Sequence, residues 1–86
     1  MTDAQTPEQI DPVPERIDVR GLKCPLPALF ARRALGRASS GALVEVIADD
    51  PLAAVDIPFM CHQEGHVVAE QTREGRCVRF VLRRAR

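Results

Sequence analysis

The pattern of hydrophobic and polar positions predicts four β-strands along the chain. Residues 16–20 alternate with period two, which is typical of a strand that buries one face. Residues 42–48 are nearly all apolar and often β-branched, with Glu45 as the exception, and this favours an inner strand. Residues 66–72 and 77–83 are predicted to form two more strands, joined by a tight turn at Glu74-Gly75.

A helical period of apolar residues predicts a first helix over residues 25–39. Arg32, Arg33 and Arg37 fall on the opposite face, so the helix is amphipathic with a basic outer side. Leu26 and Leu29 lie off the apolar stripe, and we expect them to be partly exposed as a docking surface. The residues expected to face the core are Pro27, Phe30, Ala31, Ala34, Leu35 and Ala38.

A second helix is predicted over residues 51–64. Asp50 would be its N-cap and Pro51 its first helical residue, because an aspartate accepts an unpaired N–H and proline has none to lose. Pro58 predicts either a kink or a new helix start capped by Asp56. Gly65 is predicted to end this helix.

The order β-α-β-α-β-β predicts a two-layer α/β sandwich, in which a four-stranded mixed sheet carries both helices on one face. In the last strand, Val78, Phe80 and Leu82 would face the helices. Residues 1–15 are polar and Pro-containing, so we expect a mobile, disordered N-terminal tail followed by one domain over residues 16–86.

Charge and cysteine content narrow the class of function. The 12 basic and 12 acidic residues of this 86-residue chain cancel, which argues against direct nucleic-acid or membrane-surface binding. Three cysteines, at positions 24, 61 and 77, do not form the framework of a disulfide-rich secreted domain. The first fifteen residues contain no apolar run suited to a signal peptide. We therefore expect a cytoplasmic protein whose partners are proteins or small molecules.

The segment Cys24-Pro25-Leu26-Pro27 carries the candidate chemistry. It predicts a thiol at the N-cap, with Pro25 at the first helical position and Pro27 within the first turn. The prolines leave the N–H groups of Leu26 and Ala28 to donate to a Cys24 thiolate, which the helix dipole also favours.

Two basic residues and a glycine precede this segment. Gly21 permits a turn, and Arg20 and Lys23 add positive charge close to Cys24 in sequence. A thiolate held in this way can attack the outer sulfur of a donor persulfide and then hold the new persulfide, so a single residue can both accept and donate sulfur.

Alternatives remain open at this point. Cys24 as a mere helix cap is disfavoured, since cysteine caps poorly. Cys61 is expected to be a buried structural residue, whereas Cys77 has no neighbouring feature that suggests activation. Neither a cofactor nor a metal is expected: a site formed by Cys24, Cys61, His62 and His66 lacks paired Cys-x-x-Cys spacing. A noncatalytic protein-interaction module that uses the helix start and its basic face is the main alternative, and a peroxide-sensing thiol is a weaker one.

Residues 18–27, from Asp18 to Pro27, resemble the Asp-x-x-Gly-Leu-x-Cys-Pro-x-Pro signature of the TusA (SirA-like) sulfur-carrier family. The stretches Ala48–Pro51 and Asp56–Pro58, followed by Cys61, are similar to a second recurrent segment of that family. The resemblance covers residues 16–83, whereas Phe59-Met60 and Cys77 are not part of its signature.

The resemblance implies the βαβαββ fold and persulfidation of Cys24. It implies a cysteine desulfurase or a rhodanese-type protein as the sulfur donor. A sulfur-relay protein would be the acceptor, serving wobble-uridine thiolation of tRNA, molybdenum cofactor assembly or sulfur oxidation.

Overall fold

The computed structural model of the protein describes residues 15–85. They form four strands and two helices in the predicted order β-α-β-α-β-β. The elements are β1 (Glu15–Asp18), α1 (Leu26–Arg37), β2 (Leu43–Ala48), α2 (Ala53–Glu64), β3 (Val67–Glu74) and β4 (Cys77–Arg83). Along residues 15–85, no helix is long and apolar enough to cross a membrane.

The strands form a single mixed sheet in the order β1-β2-β4-β3. β1 runs parallel to β2, with Ile17 opposite Val46, and β4 runs antiparallel to both of its neighbours. Both helices cover one face, as predicted, and the core lies between them and the sheet. The innermost side chains include Ala31, Leu35, Val44, Val46, Ile57, Phe80 and Leu82.

Several element boundaries differ from the prediction. Glu15, predicted to end the tail, is the first residue of β1, and the rest of the predicted tail lies outside the described residues. The hairpin turn is formed by Gly75 and Arg76, because Glu74 still pairs with Cys77 in the ladder. Gly75 has a φ of +64°, which a residue with a β-carbon adopts only with strain.

The second helix begins later than expected. Leu52 precedes its first residue and no side chain caps it, so the predicted Asp50 N-cap with Pro51 at the first helical position is wrong. The carbonyl of Asp50 accepts the N–H of Ala53, while its carboxylate is engaged elsewhere. The helix continues through Pro58 without a second start and ends at Gly65, whose φ of +81° confirms the predicted stop.

The first helix confirms most of its predicted stripe. Pro27, Ala31, Ala34 and Leu35 are buried, and Leu26 and Leu29 are exposed as expected. Phe30 is the exception among the predicted core residues: its side chain reaches the surface, where the Arg33 guanidinium lies 5.7 Å from the ring centroid.

The sheet face away from the helices carries a buried charge. Glu45 is only 4% exposed, yet no helix covers it. Arg16 donates to its carboxylate at 2.5 Å and Arg79 also pairs with it, while Arg79 bonds Glu70 at 2.8 Å. These arginines hold the pKa of Glu45 below its usual value and link all four strands. The uncovered face is therefore closed by ion pairs rather than by apolar packing.

Candidate functional site

Cys24 lies in an exposed turn just before α1. The helix itself begins at Leu26, so Pro25, whose peptide bond with Cys24 is cis, occupies the N-cap position, and Pro27 is the second helical residue. The predicted placement of Cys24 at the N-cap and of Pro25 at the first helical position is therefore wrong by one residue. The thiol stands before the helix start rather than on it.

The two N–H groups that were predicted to donate to a Cys24 thiolate differ in their hydrogen bonding. Leu26 donates its N–H to the carbonyl of Lys23 at 2.8 Å, which closes a turn around Cys24 and removes this donor. No backbone carbonyl of residues 15–85 accepts the N–H of Ala28, so the helix start keeps one candidate donor instead of two.

Two aspartates at the end of β2 hold the loop that carries Cys24. Asp49 Oδ1 accepts the N–H of Gly21 at 2.9 Å, and Asp50 Oδ2 accepts the N–H of Cys24 itself at 3.1 Å. Gly21 makes the turn with a φ of +86°. These two hydrogen bonds attach the backbone on both sides of Lys23 to the carboxyl end of the inner strand β2. Because the acceptors are charged, the bonds are stronger than ordinary loop hydrogen bonds.

The charge around the thiol is the opposite of the expected one. A hydrogen bond with the Asp56 carboxylate is the largest effect on Cys24; together with partial desolvation and the nearby charges of Asp56 and Asp50, it raises the pKa of the thiol. The expectation of a lowered pKa is therefore wrong for the free protein, because α2 brings a carboxylate to the thiol. At neutral pH the free protein holds Cys24 mainly as the thiol.

Of the two basic residues expected to support the thiolate, Arg20 is engaged in an ion pair and Lys23 lines a neighbouring cleft. Arg20 forms a two-pronged ion pair with Asp18, at 2.9 and 2.6 Å, which raises the pKa of Arg20 and lowers that of Asp18 to about 2. Lys23 lines a cleft of about 560 Å³ beside the Cys24 loop, together with Asp49, Asp50 and Arg76.

The other two cysteines occupy different environments. Cys61 lies on the buried side of α2, where it is 1% exposed, and burial raises the pKa of its thiol to about 11. Its predicted burial is confirmed. Cys77 is half-buried at the start of β4, where its thiol adds a minor contribution to the raised pKa of Arg20, after Asp18.

An exposed apolar surface adjoins Cys24. Leu52, Val55 and Phe59 are 53–63% exposed and recur along α2 at the spacing that places them with Asp56 on one helical face. Leu26, at the start of α1, is 41% exposed. We call these four apolar residues the thiol face, because Asp56 connects them to Cys24.

The sequence predicted the candidate thiol but did not indicate its carboxylate neighbours. Asp49 and Asp50 lie 28 and 26 residues from the groups they bind, so their local pattern suggested only a helix cap. The signal available in the sequence was their position in the second recurrent segment, at the end of a predicted inner strand.

Comparison with known proteins yields consistent matches. The model of the family "Sulfurtransferase TusA" matches residues 15–84. A putative sulfur carrier protein of Neisseria meningitidis serogroup A is 42% identical over 60 residues, which cover 70% of this chain and 81% of the relative. The sulfur carrier protein TusA of Allochromatium vinosum is 35% identical over 71 residues, which cover 83% of this chain and 93% of the relative.

A solved structure has the same fold. The crystal structure of a SirA-like protein from Desulfitobacterium hafniense superposes with a TM-score of 0.71 at 22% identity, covering 83% of this chain and 97% of the other. The predicted two-layer α/β sandwich, with a mixed four-stranded sheet and two helices, is confirmed by this likeness.

Proposed function

We propose, since the chain belongs to the TusA family of sulfur-carrier proteins, that Cys24 is the residue that carries the sulfur, as a persulfide. One observation supports this choice above the others. Among residues 15–85, Cys24 is the one exposed cysteine, and charged hydrogen bonds hold its backbone in place. An exposed thiol on a fixed loop is accessible to the reacting sulfur of a second protein.

The transfer step needs no oxidant or cofactor. The Cys24 thiolate attacks the outer sulfur of a donor persulfide, R–S–SH, and a new S–S bond forms as the S–S bond of the donor breaks. The donor leaves as a thiolate and takes up the proton that Cys24 gave up. Delivery is the same exchange in reverse, with the acceptor cysteine as the nucleophile.

The partner also controls when Cys24 reacts. Because Asp56 and Asp50 raise the pKa of the thiol, the free carrier holds it mostly protonated. A docked partner that presents cationic side chains to these carboxylates would weaken their effect and release the thiolate. The thiol face supplies the apolar part of such a contact, since exposed apolar clusters mark protein-binding surfaces.

We infer that the donor is a cysteine desulfurase or a rhodanese-type protein and that the acceptor is a sulfur-relay protein. The roles open to such a carrier are tRNA wobble-uridine thiolation, molybdenum cofactor assembly and sulfur oxidation, in the cytoplasm. Family membership supports these donor and acceptor classes.

Sulfur loading by a cysteine desulfurase with L-cysteine tests the assignment. Intact mass spectrometry of the native protein should show the gain of one sulfur atom, which dithiothreitol removes. Cys24→Ser should gain none, whereas the matched variant Cys77→Ser should load like the native protein. Loading of Cys24→Ser to the native level would contradict the assignment of Cys24, and a native protein that gains no sulfur would favour a noncatalytic interaction module.

A further inference from the structure

A second surface of the molecule, away from the Cys24 turn, is strongly basic. A groove of about 770 Å³ runs between α1, the end of α2 and the segment after β4. Within residues 15–85, its charged lining consists of Arg32, Arg33 and Arg84 against one carboxylate, Glu64. In a chain with no net charge, this is a local excess of positive charge. We call it the basic groove.

The arginines of the groove differ in what they bind. Arg32 pairs with Glu64 at 3.1 Å, and Arg84 donates to the carbonyl of Ala38 at 2.6 Å and pairs with no carboxylate of the described residues. Arg33 forms no ion pair with any residue in 15–85 and lies over the ring of Phe30. Arg33 and Arg84 therefore line the groove without an acidic partner among residues 15–85.

We propose that the basic groove binds an acidic segment of a protein partner. Uncompensated guanidinium groups in a concave surface are suited to carboxylates, which they bind by paired hydrogen bonds. A single-stranded RNA fits the surface less well, because RNA of this kind stacks its bases on aromatic faces. No phenylalanine of residues 15–85 lines the groove, and the ring of Phe30, which Arg33 reaches, is already covered by that arginine.

The position of the groove suits a partner that also reaches the thiol. Leu29 lines the end of the groove nearest the start of α1, and seven residues separate Leu26 from Arg33, about 10 Å at the helical rise. A partner anchored in the groove can extend along α1 to the thiol face. The two surfaces are of opposite character, with carboxylates at the thiol and guanidinium groups in the groove, so they orient the partner.

This inference goes beyond the sulfur relay, since groove binding holds whether or not Cys24 carries sulfur. Fluorescence anisotropy with a fluorescein-labelled octaglutamate peptide at low ionic strength tests it. Arg32→Gln/Arg33→Gln should weaken binding at least about fivefold, and Glu64→Gln should tighten it about twofold, as expected when surface charges are removed or uncovered. Cys24→Ser should bind like the native protein.

The matched control is Arg73→Gln, which removes one positive charge from the hairpin formed by β3 and β4. It should leave the anisotropy curve unchanged. The proposal is overturned if the peptide does not saturate the native protein, if Arg73→Gln loses as much affinity as the groove variant, or if an oligouridylate of equal charge binds more tightly than the peptide. Sulfur loading of the charge variants Arg32→Gln/Arg33→Gln, Glu64→Gln and Arg73→Gln by inorganic polysulfide, which needs no docked protein, should equal that of the native protein. This separates failure of the groove from failure of Cys24.

Discussion

Cys24 and Cys61 carry the same thiol in two different environments, an exposed turn and the buried core. Both thiols have a raised pKa, but for different reasons. Around Cys24 the main cause is a hydrogen bond with Asp56 at an exposed position, whereas around Cys61 it is burial in the core. A carboxylate at the surface can be neutralised by a second molecule, but a closed core cannot be opened without unfolding.

The direction of a pKa shift therefore does not by itself distinguish a candidate sulfur-carrying cysteine from a structural one. What separates the two residues is access and the origin of the shift. Cys24 is exposed on a loop held by Asp49 and Asp50, and Cys61 packs with the apolar side of α2 against the sheet. The first can change its protonation state when a partner binds, and the second is inert while the fold is intact.

The largest expected effect is a difference in reactivity between the two thiols. With iodoacetamide under native conditions, Cys24 should be alkylated at least about 100-fold faster than Cys61, because labelling of Cys61 requires the core to open. Peptide mapping by mass spectrometry measures both rates in one sample. Full denaturation in guanidinium chloride should bring the two rates together, and similar rates in the native protein would contradict the comparison.

Substitution should affect the free energy of unfolding more at Cys61 than at Cys24, although Cys24 is the more reactive of the two thiols. Cys61→Ser places a hydroxyl group in an apolar core and should lower the free energy of unfolding by about 1–3 kcal/mol. Cys24→Ser, at an exposed position, should change it by less than about 0.5 kcal/mol. Urea denaturation followed by circular dichroism measures both. A Cys24→Ser variant as unstable as Cys61→Ser would mean that the exposed turn supports the fold.

Removal of the Asp56 charge should speed the reaction of Cys24. In Asp56→Asn the pKa of the thiol should fall, so more thiolate is present at a given pH below that pKa, and alkylation at pH 7–8 should be about 3- to 10-fold faster. The pH profile of the rate should move to lower pH, while Cys61 is unaffected. Glu74→Gln, which removes a carboxylate from the last residue of β3, is the matched control and should leave the Cys24 rate unchanged.

Asp50→Asn should have the smallest effect. Asp50 is a weaker influence on the thiol than Asp56, and an asparagine retains an oxygen that can accept the N–H of Cys24. We expect the alkylation of Cys24 to increase by about twofold at most. A larger increase than in Asp56→Asn, measured in the same assay, would mean that Asp50 rather than Asp56 is the stronger influence on the thiol.

The local sequence pattern was sufficient to predict the number and order of the strands and helices and their arrangement in two layers. β-branched runs such as residues 43–48 and the stripe containing Ala31 and Leu35 report burial directly, and Gly65 marks a helix end by its backbone freedom. Cys24 could be proposed as the site residue because its flanking prolines are adjacent in sequence. All of these signals lie within a few residues of what they predict.

The electrostatics of the site could not be predicted in this way. Asp56 was recognised only as a possible helix cap, and its effect on Cys24 depends on how α2 packs beside α1. Glu45 looked like an exception within an apolar strand, since its partners Arg16 and Arg79 come from two other strands. Charges near one another in sequence, such as Arg20 and Lys23, were a poor guide, because Arg20 pairs with Asp18 instead.

The central claim is that Cys24 alone carries the sulfur, and a variant that retains only this cysteine tests it most directly. Cys61→Ala/Cys77→Ser should gain one sulfur atom from a cysteine desulfurase with L-cysteine, seen by intact mass spectrometry, and tandem fragmentation should place that atom on Cys24. If this variant gains no sulfur while it remains folded, or if the added atom maps to another residue, the assignment of Cys24 as the sulfur-carrying residue is wrong.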